Sequence, residues 1–159
     1  MADDVMFFFQ SVDAEAALAR LREAVDLKPS DSRGKWEAPG LPGWFYAVGQ
    51  ERKGSKVSVL GPGFGPDWID GSLSRGKERP HYADNWVAWW TGERWNACAE
   101  EPEQASPLLS QARRVCEVLG LESFVCLPDS CPLEELPEDE VPSVTFPVAT
   151  ASAAEVFRG

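Results

Sequence analysis

Catalysis by a nucleophile and a histidine base has a single histidine to draw on, His81. It stands between Pro80 and Tyr82, and no nucleophile motif flanks it. Paired carboxylates are plentiful: Asp3–Asp4, Glu100–Glu101, Glu134–Glu135 and the run Glu138, Asp139, Glu140. Acid–base work on a substrate needs two carboxylates held at a fixed separation in a cleft, which neighbours on local runs do not supply. Asp67 and Asp70, around Trp68 and Ile69, are the better-placed acids. Four cysteines, Cys98, Cys116, Cys126 and Cys131, include no CxxC pair, so no metal site is expected. The stretch "LGPGFGP", Leu60 to Pro66, has the glycines of a phosphate cradle but not the spacing. Pro66 interrupts it and no Lys-Ser/Thr pair follows. No cofactor is expected, and catalysis is not the leading expectation.

Binding chemistry is better represented. "NWVAWWTGERWNAC" places four of the seven tryptophans, Trp86, Trp89, Trp90 and Trp95, within ten residues. Gly92 and Glu93 suit the centre of a two-residue turn whose first position needs a positive backbone angle. A hairpin on that turn pairs Trp90 with Trp95 and divides the aromatics. Trp86, Trp90 and Trp95 then alternate with alanines on a face suited to packing under a helix. Trp89 falls on the opposite face, with Arg94 diagonally across it. Arginine beside an accessible indole is typical of contact surfaces, so Trp89 and Arg94 are candidate partner contacts.

Charge adds a second contact surface. The net charge is −11. Residues 1–99 carry 14 acids and 12 bases, whereas residues 100–140 carry 11 acids and 2 bases. The acidic segment offers Glu134, Glu135, Glu138, Asp139 and Glu140 as docking residues for a basic protein. Nucleic acid is disfavoured, because phosphates need neutralising cations. The one concentrated positive patch, Arg75, Lys77, Arg79 and His81 at alternate positions, is a candidate anion or partner contact.

The elements that must position these residues follow from periodicity. "VMFFFQ", Val5–Gln10, reads as a strand buried on both faces. Ala14, Ala17, Leu18, Leu21, Ala24 and Val25 fall at helical spacing, with Ser11 or Asp13 as cap. Residues 29–43, with three prolines and three glycines, read as loop. Residues 44–50 and 56–61 read as two strands of a hairpin. Residues 61–85 form a long irregular stretch of the kind that is often functional. A second helix is expected after Ser106 as cap and Pro107 at its first position. Its stripe is Leu108, Leu109, Ala112, Val115, Cys116 and Leu119, and Gly120 ends it. Residues 123–127 read as another buried strand. Residues 128–159 read as an acidic, proline-rich extended tail, with 144–148 available to a sheet edge.

The expected fold is α+β: a mainly antiparallel sheet with two amphipathic helices on one face, as a single domain over 1–127 followed by the tail. No apolar run reaches the length of a membrane span, and "MADD" is not the start of a signal peptide. A cytoplasmic location, with free thiols and no membrane partner, is the corresponding expectation. The leading functional expectation is a non-enzymatic domain of inhibitor or immunity type. It would dock a basic protein partner through acidic and aromatic surface. The alternatives are an accessory subunit of a larger assembly, and a small-molecule binder or enzyme with a pocket under residues 61–85. Nothing in the residues fixes an oligomeric state.

Overall fold

The computed structural model describes residues 3–11, 13–31, 34–53, 56–60, 86–129 and 138–157, with the side chains of 48–60, 138, 139 and 141 left out of the description. The expected His81, Arg75, Lys77, Arg79, Glu134 and Glu135 contacts lie outside the described residues, as do Asp67, Asp70 and Cys131.

The fold is α+β. Its strands are β1 (Asp4–Gln10), β2 (Lys28–Pro29), β3 (Trp36–Glu37), β4 (Trp44–Lys53), β5 (Lys56–Leu60), β6 (Trp86–Arg94), β7 (Ser123–Pro128) and β8 (Thr145–Pro147). They join in the order β2-β3-β4-β6-β1-β7-β8, with β5 paired to β4 off this path, and every described pairing is antiparallel. The helices are α1 (Ala14–Ala24), α2 (Trp95–Glu100), α3 (Pro102–Leu119) and α4 (Ala153–Val156), with a 3-10 helix over Glu138–Val144.

β1 is central because its sequence tolerates burial on both faces. Every residue from Val5 to Phe9 is fully buried. At about 1.5–3 kcal/mol per large apolar side chain, this strand is a main driver of collapse. Val5, Phe7 and Phe9 face the helices and join one core with Leu18 and Leu21 of α1 and Leu108, Ala112 and Val115 of α3. Met6 and Phe8 face the other way, beside Tyr46, Ala88 and Leu127, which are also buried.

α1 starts where Asp13 accepts a hydrogen bond from the Ala16 N–H at 3.1 Å. α3 ends at Gly120, which adopts the left-handed conformation while the Leu121 N–H returns to the Cys116 carbonyl at 2.8 Å. Its start differs from expectation. The helix opens at Pro102, not at Pro107, which lies inside it. Pro102 takes the first helical position, where a missing N–H costs nothing. The bond Pro107 forfeits would have gone to Glu103, a solvent-exposed residue.

The tryptophan hairpin does not form. β6 runs through the expected turn, and Trp95 begins α2. Gly92 does adopt a positive φ, +72°, but in a bulge. Between Met6 opposite Trp90 and Asp4 opposite Arg94, β6 accommodates two extra residues. Buried Thr91 holds the bulge: its hydroxyl donates to the Val5 carbonyl at 2.9 Å and accepts from the Glu93 N–H at 3.0 Å. The Trp95 N–H then donates to the Asp3 carbonyl at 2.7 Å, where the strand gives way to α2.

Part of the segment beyond residue 128 packs into the core, through Phe146, Ala151, Val156 and Phe157. β8 forms the sheet edge beside β7, and Val156 and Phe157 are buried. Phe157 meets the Trp95 ring edge-on at 5.1 Å. Arg113 of α3 ties this segment down by donating to the carbonyls of Val148 and Ala151.

Candidate functional site

The loss of the hairpin inverts the two tryptophan faces. Trp89, expected as an exposed contact, is fully buried. The β6 register puts it between Phe7 of β1 and Phe45 of β4, on the helix side of the sheet. Its ring stacks on both, at 5.2 Å from Phe7 and 5.1 Å from Phe45. Arg94 is exposed, but it stands opposite Asp4 at the end of β1 and not beside Trp89. Of the acidic docking residues, Glu140 is exposed, and Glu138 and Asp139 fall in the 3-10 helix.

Of the three tryptophans on β6, Trp90 is the one that reaches the surface. Its directly opposed neighbour on β4 is Trp44, and the two rings stack at 4.5 Å and 23°. Both are partly buried. The ammonium of Lys35 lies over the Trp44 ring, 4.3 Å from its centre. Lys35 is only 2% exposed, and burial lowers its pKa from the usual lysine value. Cation, indole and indole thus form a three-layer stack.

The two indoles line an open cleft of about 830 Å³ whose other wall is the loop from Ala38 to Gly43. Lys28 and Glu37 also line it. The loop is tied to the sheet at two points. Trp89 reaches through to donate its indole N–H to the Pro42 carbonyl at 3.1 Å. Gly43, at φ +83°, is packed so tightly that a Cβ there would stand 1.8 Å from the Trp90 carbonyl oxygen. The wall is therefore fixed by the same strand that supplies the aromatic floor. By its local sequence alone, Trp44 reads as an ordinary strand residue. The available signal was the run "APGLPGW", a proline- and glycine-bounded loop leading into an aromatic.

Next to Trp90 lies a carboxylate pair. The Asp4 N–H donates to Asp129 Oδ1 at 3.1 Å, and the Asp129 N–H donates to the Asp4 carbonyl at 2.9 Å. Desolvation raises the Asp4 pKa above its usual value, and repulsion from Asp129 and Asp3 adds to it. Arg94 and a hydrogen bond from the Trp90 side chain act in the opposite direction. Tyr46, fully buried on the same face of the sheet, has a hydroxyl without a hydrogen-bond partner among the described residues. Burial, and then Asp129, push its pKa up. The Trp86 indole N–H is likewise unpartnered.

The raised Asp4 pKa has a definite sign. The folded protein binds that proton more tightly than the unfolded chain, so this group favours folding more as pH falls through the folded pKa. Asp4→Asn should therefore match or slightly exceed the wild-type Tm at neutral pH, with the margin shrinking on acidification. Paired thermal melts across the acidic range check this, and a clearly lower Tm for the variant at pH 7 contradicts it.

A second cleft, about 490 Å³, lies between the start of α1 and the end of α3. Its two charged groups are occupied locally: Arg20 donates to the Val118 carbonyl at 2.7 Å, and Asp13 caps α1. The thiols of Cys98, Cys116 and Cys126 are buried and free, and burial pushes the Cys116 thiol up to about 12. Among the described residues, no three His, Cys, Asp or Glu side chains gather as a metal site. No described helix is long and apolar enough to cross a membrane. Comparison with protein-family models, with curated proteins and with solved structures returned no match.

Proposed function

We propose that this chain is a non-enzymatic binding domain of inhibitor or immunity type, which docks a basic protein partner at the Trp44–Trp90 cleft. The observation that carries the reading is the partly exposed indole pair lining an open, pre-fixed groove on a chain of net charge −11. Stacked aromatics give contact area at low entropic cost, and the net negative charge of the chain favours the approach of a cationic protein. An open groove suits a segment of a larger partner better than an enclosed metabolite, although its volume is also within the range of small-molecule sites.

The immobilised chain, exposed to extract of its source cells, should retain one basic protein. Trp90→Ala, with its fold verified by circular dichroism, should lose most of that retention. Salt at about 0.5 M, where screening acts within about 4 Å, should also weaken it. Retention indifferent to both the variant and salt would reject the reading, as would a consistently acidic or neutral partner.

A further inference from the structure

We infer that the Trp44–Trp90 cleft takes a proline-rich segment of the partner, in the polyproline conformation and with a basic residue beside the prolines, an inference that rests on the protein-docking reading above. Both faces of the Trp44 ring are covered, one by the Lys35 ammonium at 4.3 Å and the other by the Trp90 ring at 4.5 Å. Trp44 therefore meets the cleft by its rim, where an indole is electropositive and carries its N–H. That N–H has no hydrogen-bond partner among the described residues. An apolar floor with one waiting donor calls for a ligand with free carbonyls.

Of the regular forms a partner segment can take, only one brings free carbonyls here. A helix has committed its carbonyls to its own N–H groups, save in its last turn. A strand would have to join the edge of β6 just past Trp90, the last residue that β4 pairs. That edge is taken. A Cβ on Gly43 would stand 1.8 Å from the Trp90 carbonyl oxygen and 2.7 Å from Thr91 Cα, so the chain already lies against it. A polyproline helix has no internal hydrogen bonds, so its carbonyls point outward, and its prolines bring no N–H to strand against an apolar wall. The groove is held ready for such a stiff ligand, because the Trp89 indole fixes the far wall at the Pro42 carbonyl. Charge selects what flanks the prolines. Lys28 and Glu37 are the charged residues lining the cleft. Lys28 is paired with Asp26 at 3.1 Å. Glu37, directly opposite Lys28 across the β2–β3 pair, is exposed and has no ion pair among the described residues. The rim thus presents one uncompensated carboxylate, complementary to a lysine or arginine.

The test is an NMR titration of the whole chain with an acetylated hexaproline peptide ending in arginine amide. The controls are hexaproline ending in citrulline, an uncharged isostere, and hexaalanine ending in arginine. The probe should shift the Trp44 and Trp90 indole N–H resonances saturably, and the alanine control should not. The citrulline control should bind about threefold more weakly than the probe. Trp44→Phe keeps an aromatic ring in the stack and removes the N–H, and should weaken the probe by about fivefold. Glu37→Gln should bind the arginine and citrulline peptides alike, and the citrulline peptide as wild type does, a pattern that damage to the fold does not produce. Equal response to the proline and alanine peptides, or an arginine preference that survives Glu37→Gln, overturns the inference. The two proposals fail separately. A basic protein retained by wild type and lost by Trp90→Ala, with no response to the proline peptide, removes the polyproline ligand and leaves the docking reading. A specific proline-peptide response with no basic protein retained keeps the ligand class and removes the docking reading.

Discussion

Trp89→Ala should lower the Tm by roughly 10 °C, the loss of about 3–5 kcal/mol expected for emptying a large aromatic site in a chain of this size. Trp89 is fully buried and stacks between Phe7 and Phe45 across three strands, so no neighbour can collapse into the space without moving a strand. The substitution also orphans the Pro42 carbonyl that its indole N–H satisfies at 3.1 Å. Trp89→Phe separates the two effects. It keeps most of the stack and removes the hydrogen bond, so its Tm should fall between those of wild type and the alanine variant. It should also loosen residues 38–43, measurable as faster amide exchange there. An alanine variant melting within about 2 °C of wild type would mean that this ring is not in the core.

Gly43→Ala should be comparably damaging for a different reason. The residue sits at φ +83°, and its Cβ would meet the Trp90 carbonyl oxygen at 1.8 Å. The left-handed conformation alone costs a non-glycine residue about 1–2 kcal/mol. The collision adds more, because the atom in the way is backbone of the paired strand β6 and cannot swing aside. Gly40→Ala is the control. At φ +75° it bears the conformational cost, but nothing lies within 4 Å of its Cβ. Thermal melts should therefore rank wild type above Gly40→Ala, and Gly40→Ala well above Gly43→Ala. Similar losses at both glycines would show that the close approach to β6 is absent. Gly43→Ala should also disturb the Trp44–Trp90 stack, and so partner retention, more than Gly40→Ala does.

What could be read from the sequence was whatever depended on local periodicity. Of the stripe Ala14, Ala17, Leu18, Leu21, Ala24 and Val25, the first four are buried, while Ala24 is exposed and Val25 half-buried at the helix end; the unbroken apolar run of β1 is buried on both sides. The α+β class followed from the order of such segments. The tryptophan region resisted because its answer depends on non-local pairing. Gly92 with Glu93 is a good local turn signal, and the positive φ is there. It is used in a bulge because β1 offers β6 a long apolar partner and the Thr91 hydroxyl finds the Val5 carbonyl. Once the strand continues, each inferred face changes sides, and Trp89 exchanges roles with Trp90. The carboxylate pair was invisible for the same reason, since Asp4 and Asp129 stand 125 positions apart.

The central place of β1 also governs when this chain can become a protein. Its neighbours are β6, which pairs with it only from residue 86 onward, and β7, which begins at residue 123. On a ribosome this strand is complete well before either of its hydrogen-bonding partners is made, because residues 11–85 separate it from β6. During that interval "VMFFFQ" is an uncharged segment of high strand propensity, the kind that joins copies of itself. Yield during expression should therefore depend on how fast the chain is completed and on holdase capacity in the host, more than on the stability of the finished fold.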